Sequence, residues 1–110
     1  MIKYRLYAGR NAEIECFVDE EDYQYFSQWR WTVKKSKRSR KLYFRRSTIV
    51  GRRPNHISPT LYLHREIARR MGILNDGEVI DHIDNNSLNN CRENLQALSA
   101  RANLLKRFIR

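Results

Sequence analysis

The sequence predicts an α+β fold: a small antiparallel sheet with short helices in the N-terminal part, then a strand–loop–strand–helix unit. Three observations predict it. Ile2, Tyr4 and Leu6, then Ile14 and Cys16, alternate with more polar neighbours, the period of half-buried strands. Leu63, Ile67 and Met71 recur at helical spacing just before Gly72. Near the end, an asparagine-rich polar segment separates two short apolar runs. A chain of 110 residues fits one compact domain, or a small domain with a flanking module. The expected organisation is a basic, β-rich region over 1–60 and a second region over 61–110, together forming one compact unit.

The elements follow in order. Residues 1–8 and 12–18 read as a hairpin around a turn at Gly9, Arg10 and Asn11. Asp19 is positioned to cap a helix over about 20–28, whose first-turn acids suit the positive end of the helix dipole. Residues 29–33 read as a strand with Trp29, Trp31 and Val33 on one face, and both tryptophans are expected in the core rather than as base-stacking platforms. Residues 34–41, K-K-S-K-R-S-R-K, are a loop without an apolar residue, and 42–48 form the return strand. Gly51, Pro54, Asn55 and Pro59 mark 49–60 as an irregular connection. A helix over 63–71 ends at Gly72, with His64 as a capping or packing histidine. After a turn at 75–77 come a strand over 78–83, a polar loop over 84–94 and a strand over 95–98. Ser99 then caps a helix over 100–108.

Charge narrows the partner. Twenty-two Lys and Arg against twelve Asp and Glu give a net charge of +10 and a sequence pI near 10.1. Neutralising phosphates releases condensed counterions, so a polyanion is the favoured partner. The cations are not spread evenly. From Tyr23 to Arg65 there is no acid, yet twelve of the basic residues lie there. A solvated face mixes signs, whereas a one-sign block on a hairpin tracks a phosphate backbone. Arg30, Lys34, Lys35, Lys37, Arg38, Arg40, Lys41, Arg45 and Arg46 are the phosphate-contact candidates in this block. Arg101, Lys106 and Arg107 are further candidates on the last helix, and Arg92 offers the same from the polar loop.

Two isolated cysteines, Cys16 and Cys91, form neither a C-x-x-C motif nor a disulfide framework, which points to a reducing compartment. The first residues are charged too early for a signal peptide, and no apolar run reaches the roughly 18 residues of a membrane span. An intracellular location is expected.

The segment 79–103 carries the chemistry. Phosphodiester hydrolysis needs a water nucleophile, a base for its proton, and a group that absorbs negative charge. His82, with an ordinary pKa near about 6.5, suits the base. Asp81 and Asn103 offer oxygens, which hard cations such as Mg²⁺ prefer, and two protein ligands leave room for water and phosphate. There is a geometric difficulty: adjacent strand residues point to opposite faces. Asp81 and His82 can serve one site only where the strand twists or ends. Asn85, Asn86, Asn89 and Asn90 read as turn formers and loop anchors, and Asp84 as a loop-initiating acceptor.

The stretch D-H-I-D-N-N-S-L-N-N-C-R-E-N-L-Q-A-L-S-A-R-A-N resembles the motif of the HNH endonucleases and their ββα-metal fold. It is most similar to the small phage and intron-encoded branch, with D-H-x-D-x-N-x-x-N-N followed by N-L and a helical Asn. The resemblance covers residues 61–106, including L-H-R-E-I. The earlier V-D-E-E-D-Y, W-R-W and Y-x-x-R elements resemble the N-terminal part of phage HNH proteins. The resemblance implies that 61–110 is the nuclease region and 1–60 a DNA-contacting one. It implies His82 as general base, Asp81 and Asn103 as ligands of one divalent metal, and Asn94 as the residue that ties the loop to the strand and orients His82. Asn103 stands where a histidine is common, which favours Mg²⁺, with Mn²⁺ as alternative, over softer metals. No structural zinc is expected.

The expectation is therefore a metal-dependent endonuclease acting on double-stranded DNA, encoded by a phage or mobile element, acting as a monomer (with a dimer as alternative) and suited to nicking. Its rival is a catalytically silent module that grips DNA. A zinc site from His64, His82, Cys16 and Cys91 is the remaining alternative, disfavoured by their scattered spacing.

Overall fold

Alternating short runs fold into three small antiparallel sheets, which the helices cover. The computed structural model describes residues 3–9, 13–48 and 59–108. Strands β1 (Tyr4–Ala8) and β2 (Ile14–Val18) pair as the first ribbon, with Leu6 opposite Cys16. Helix α1 (Glu20–Phe26) follows. Strands β3 (Thr32–Lys35), β4 (Leu42–Ser47) and β5 (Thr60–Tyr62) form the second sheet in that order. Helix α2 (Leu63–Met71) leads to β6 (Glu78–His82). A 3-10 turn at Arg92–Asn94 enters β7 (Leu95–Ser99), and α3 (Ala100–Phe108) ends the described chain.

One core joins the two halves. Leu6, Cys16 and Val18 of the first ribbon pack in a single cluster with Phe26, Trp31, Phe44, Leu63, Ile67, Ile80 and Leu95. The alternation seen in sequence is therefore real burial: Leu6 and Ala8 are buried while Arg5 and Tyr7 are exposed. Gly72 adopts the left-handed conformation (φ 79°), and the N–H groups of Gly72 and Ile73 return to the carbonyls of Arg69 and Ala68. That closes α2 as its sequence predicts. Ser99 Oγ accepts the Ala102 N–H at 3.0 Å, a cap of the kind that contributes about 1 kcal/mol.

Several boundaries differ from the sequence expectation. Helix α1 stops at Phe26 because the indole N–H of the buried Trp31 donates to the Phe26 carbonyl at 2.8 Å. Trp31 also bridges Ala8 in a parallel sense, so the regular strand starts only at Thr32. Lys34 and Lys35 consequently belong to β3, opposite Tyr43 and Leu42, and the loop shrinks to 36–41. Trp29 lies outside the strand, half-buried beneath Arg46. Asp19 makes no side-chain cap on α1; its Oδ2 instead accepts the Arg92 N–H at 2.7 Å. Thr60 belongs to β5, paired to β4, rather than to an irregular connection. β6 ends at His82 and β7 extends to Ser99. The expectations for 1–2, 10–12 and 49–58 lie outside the described residues. Among the described residues, no helix is long and apolar enough to cross a membrane.

Candidate active site

Asp81 and His82 are the last two residues of β6, opposite Gln96 and Leu95 on β7. Their side chains diverge, as the strand pleat requires. Asp81 Oδ2 meets Gln96 Nε2 at 2.8 Å and Lys106 Nζ, from α3, at 2.6 Å. The His82 ring turns toward α2 and β4, with centroids 5.3 Å from His64 and 6.3 Å from Tyr43. Because the strand ends there, both residues still border one cleft of about 520 Å³. Asn103 and Lys106 of α3 line it too. The β3–β4 hairpin adds Ser36, Arg38, Ser39, Lys41 and Tyr43 to the lining. Asp81, His82 and Asn103, singled out by sequence, thus share a cavity with part of the acid-free block.

The asparagine loop is a set of side-chain bonds replacing regular structure. Asp84 accepts the Asn86 N–H at 2.8 Å, the Asn89 amide at 2.9 Å and the Asn94 amide at 2.8 Å. It is the loop-initiating acceptor expected of it, and these bonds hold its carboxyl below its usual range although burial pushes the other way. Asn94, itself buried, receives the Asp84 N–H on Oδ1 and donates to the Asn89 carbonyl. Its own carbonyl accepts the Ile83 N–H at 2.8 Å. Asn94 therefore ties both loop ends to the strand. The described contacts give it no direct bond to the His82 ring.

That bond belongs to Asn90. His82 Nε2 lies 2.7 Å from Asn90 Oδ1, with both residues buried. A carboxamide oxygen only accepts, so Nε2 carries the proton and Nδ1 keeps the lone pair. Burial pushes the His82 pKa down; the Asn90 bond, Asp81 and Asp84 pull it up, and Lys41 pushes it down further. The neighbouring His64 is pushed down to about 3, by burial first and then by His82 and Arg65. His64 is a packing residue, flanked by Tyr43, Tyr62 and His82, and it is uncharged at neutral pH. The site pairs a neutral, oriented imidazole with a nearby carboxylate.

Beside Asp81 lies a seat for a cation. The Lys106 ammonium occupies it, bonded to Asp81 Oδ2, to the His82 carbonyl at 3.0 Å and to the Ile83 carbonyl at 3.5 Å. These oxygens are the donor type that hard divalent cations take, and Asn103 adds a carboxamide on the same cleft. The residues present fit such an ion. Among the described residues, no group of three or more His, Cys, Asp or Glu side chains forms a metal cluster. Cys16 and Cys91 are buried free thiols, pushed up to about 12 and about 11 mainly by burial.

The predicted cations divide into groups. Arg38 and Lys41 reach the cleft wall, and Lys106 reaches Asp81. Arg30, Lys34, Lys35, Lys37, Arg40 and Arg101 are exposed, while Arg45 is half-buried on β4. Arg46 stacks its guanidinium 4.0 Å from the Trp29 ring centroid, so its flat face is committed to packing. Arg92 is committed as well. It forks onto the fully buried Asp22 at 3.0 and 2.9 Å, and Arg70 meets the same carboxylate at 3.6 Å. The side chain of Arg107 lies outside the described residues.

Asn90, Tyr43 and the Asp22–Arg92 pair are the site-building residues that sequence reasoning missed. Nothing local separates Asn90 from the asparagines around it; only contact with β2 does, where its N–H donates to the Phe17 carbonyl at 2.8 Å. Among curated proteins and among solved structures, no match to the chain is found. The protein-family model described as HNH endonuclease matches residues 61–105, from β5 to α3, which contain Asp81, His82, Asn94 and Asn103. By that match and by its strand–loop–strand–helix ordering, the segment 61–105 of this chain is similar to the HNH endonuclease family.

Proposed function

We propose that the protein is a metal-dependent endonuclease that hydrolyses phosphodiester bonds of double-stranded DNA, with His82 as general base. The observation that carries this reading is the shared cleft. His82, Asp81 and Asn103 line it together with Arg38 and Lys41 of the cationic β3–β4 loop. A phosphate held in that cleft meets a base, a carboxylate and positive charge together.

His82 is set up to take a proton at Nδ1, because Asn90 engages Nε2. The water relieved of that proton attacks phosphorus, and the bond from phosphorus to the 3′ oxygen breaks. The leaving oxygen takes its proton from solvent water. Asp81 and Asn103 would hold the divalent cation, Mg²⁺ first and Mn²⁺ as alternative. When bound, that cation supplies Lewis-acid stabilisation of the charge growing on phosphate and leaving group. Arg38 and Lys41 hold neighbouring phosphates by charge. Asn94 fixes the loop ends so that β6 stops at His82.

A single His82–Asp81–Asn103 site in the chain fits a monomer that nicks one strand. The resemblance of the motif to small phage and intron-encoded enzymes supports a phage or mobile-element origin, acting on DNA inside the host cell. The rival reading, a DNA-gripping module without catalysis, is favoured by one observation: Lys106 already neutralises Asp81. Relaxation of a supercoiled plasmid separates the two. The native protein should convert it to open circles with Mg²⁺ or Mn²⁺ and not with EDTA, and His82→Ala should lose that activity. Binding without metal-dependent nicking would favour the module, and nicking by His82→Ala would remove the base assignment.

A further inference from the structure

We infer that Asn90 is the positioning residue of His82, and that β2 of the N-terminal ribbon holds it in place, so that the catalytic geometry is completed from outside the family-matched segment. The inference rests on His82 being the base.

The geometry has three parts. First, Asn90 Oδ1 accepts from His82 Nε2–H at 2.7 Å, and this is the hydrogen bond the structure gives the His82 side chain. Second, Asn90 has no freedom to turn away. It is 1% exposed, and its N–H donates to the Phe17 carbonyl at 2.8 Å. Third, β2 grips both sides of Asn89: Phe17 donates to the Leu88 carbonyl at 2.7 Å and accepts from Asn90. Phe17 and Asn89 form a parallel bridge there.

An imidazole without an acceptor on Nε2 divides between two tautomers and several ring angles, and only one tautomer presents a lone pair at Nδ1. A fixed acceptor removes that choice. Asn94, by contrast, shapes the backbone around His82 and leaves the ring alone. The two asparagines have separate tasks: Asn94 places the strand end and Asn90 places the ring.

The test reads the ring itself. In protein labelled with ¹⁵N-histidine, two-bond ¹H–¹⁵N spectra above neutral pH should show His82 with its proton on Nε2. Asn90→Ala should lose that single tautomer and lower kcat for plasmid nicking by about 10- to 100-fold, a part of the roughly 10²- to 10⁴-fold that general acid–base catalysis contributes, with KM within about twofold. Asn90→Asp keeps the acceptor oxygen and should keep the Nε2 proton and recover most of kcat. A native His82 protonated on Nδ1 would overturn the inference even where Asn90→Ala does not fold. An unchanged tautomer and kcat in Asn90→Ala would overturn it while leaving the base assignment intact. Nicking by His82→Ala would instead remove the base assignment and the catalytic part of the inference with it.

Discussion

Lys106 Nζ sits 2.6 Å from Asp81 Oδ2 and 3.0 Å from the His82 carbonyl, so an ammonium of α3 stands among the oxygens proposed for a metal. Two cations cannot share that seat. The Lys106 side chain is about a quarter exposed and can swing out, and on leaving Asp81 it is free to meet phosphate.

Removing the internal competitor should therefore tighten metal binding. Lys106→Met is expected to raise affinity for Mn²⁺ on the order of tenfold, equivalent to about 1.4 kcal/mol. Titration calorimetry or electron paramagnetic resonance of free Mn²⁺ reads this without substrate. Asp81→Asn should abolish the binding in either background. Equal Mn²⁺ affinity in the native and Lys106→Met proteins would show that Lys106 does not compete.

The buried Asp22 joins the two halves of the chain. It accepts two bonds from Arg92 and faces Arg70, while Asp19 accepts the Arg92 backbone N–H. Asp22→Ala leaves a partly buried guanidinium without its main partner, a change that typically costs about 3–5 kcal/mol. Urea unfolding should show a loss of this order. The same substitution should also lower nicking below the unfolding midpoint, because Arg92 opens the 3-10 turn that delivers Asn94. A change under about 0.5 kcal/mol, the size of an ordinary surface substitution, would mean that the network carries no load.

His64 makes folding sensitive to acid. Its folded pKa is pushed down to about 3 from an unfolded value of 6.5. Between those values the unfolded chain binds a proton that the folded chain refuses, so stability rises with pH across the window and falls on acidification. One such proton corresponds to a slope of about 1.4 kcal/mol per pH unit. The native protein should lose stability from pH 6.5 toward pH 4, and His64→Gln should flatten the slope by about one proton. Urea midpoints at pH 7, 6 and 5 for both proteins check this; parallel curves would rule out His64 as the source.

The limits of the sequence are visible in these same residues. Periodicity located β1, β2 and α2 because those elements are amphipathic on their own, as Leu6 with Ala8 and Leu63 with Ile67 show, whereas α3 was located by its Ser99 cap. The proposed trio could be named from sequence because Asp81 and His82 are neighbours and Asn103 follows at a family spacing, and the three line one cleft. Asn90 was not legible, since Asn85, Asn86, Asn89 and Asn90 have the same local chemistry and only β2 distinguishes them. Arg92 looked like a phosphate contact because its partner Asp22 lies 70 residues away. The offset of β3 has a similar origin: Trp31 is held by Phe26 and Ala8, and no local pattern reveals either.

The hairpin wall should announce itself in salt. Arg38 and Lys41 line the cleft that holds His82, whereas Arg46, in the same acid-free block, spends its guanidinium on Trp29. Each cation on a phosphate releases condensed counterions, so each removed contact lowers the slope of log affinity against log salt by about one. In a His82→Ala background, which separates binding from cutting, Arg38→Ala with Lys41→Ala should reduce that slope by about two, with fluorescence anisotropy on a duplex as readout. Arg46→Ala should leave the slope nearly unchanged and instead lower the thermal midpoint, because it uncovers Trp29. If Arg46→Ala alters the slope as much as the cleft pair does, the duplex does not lie along the cleft that holds His82.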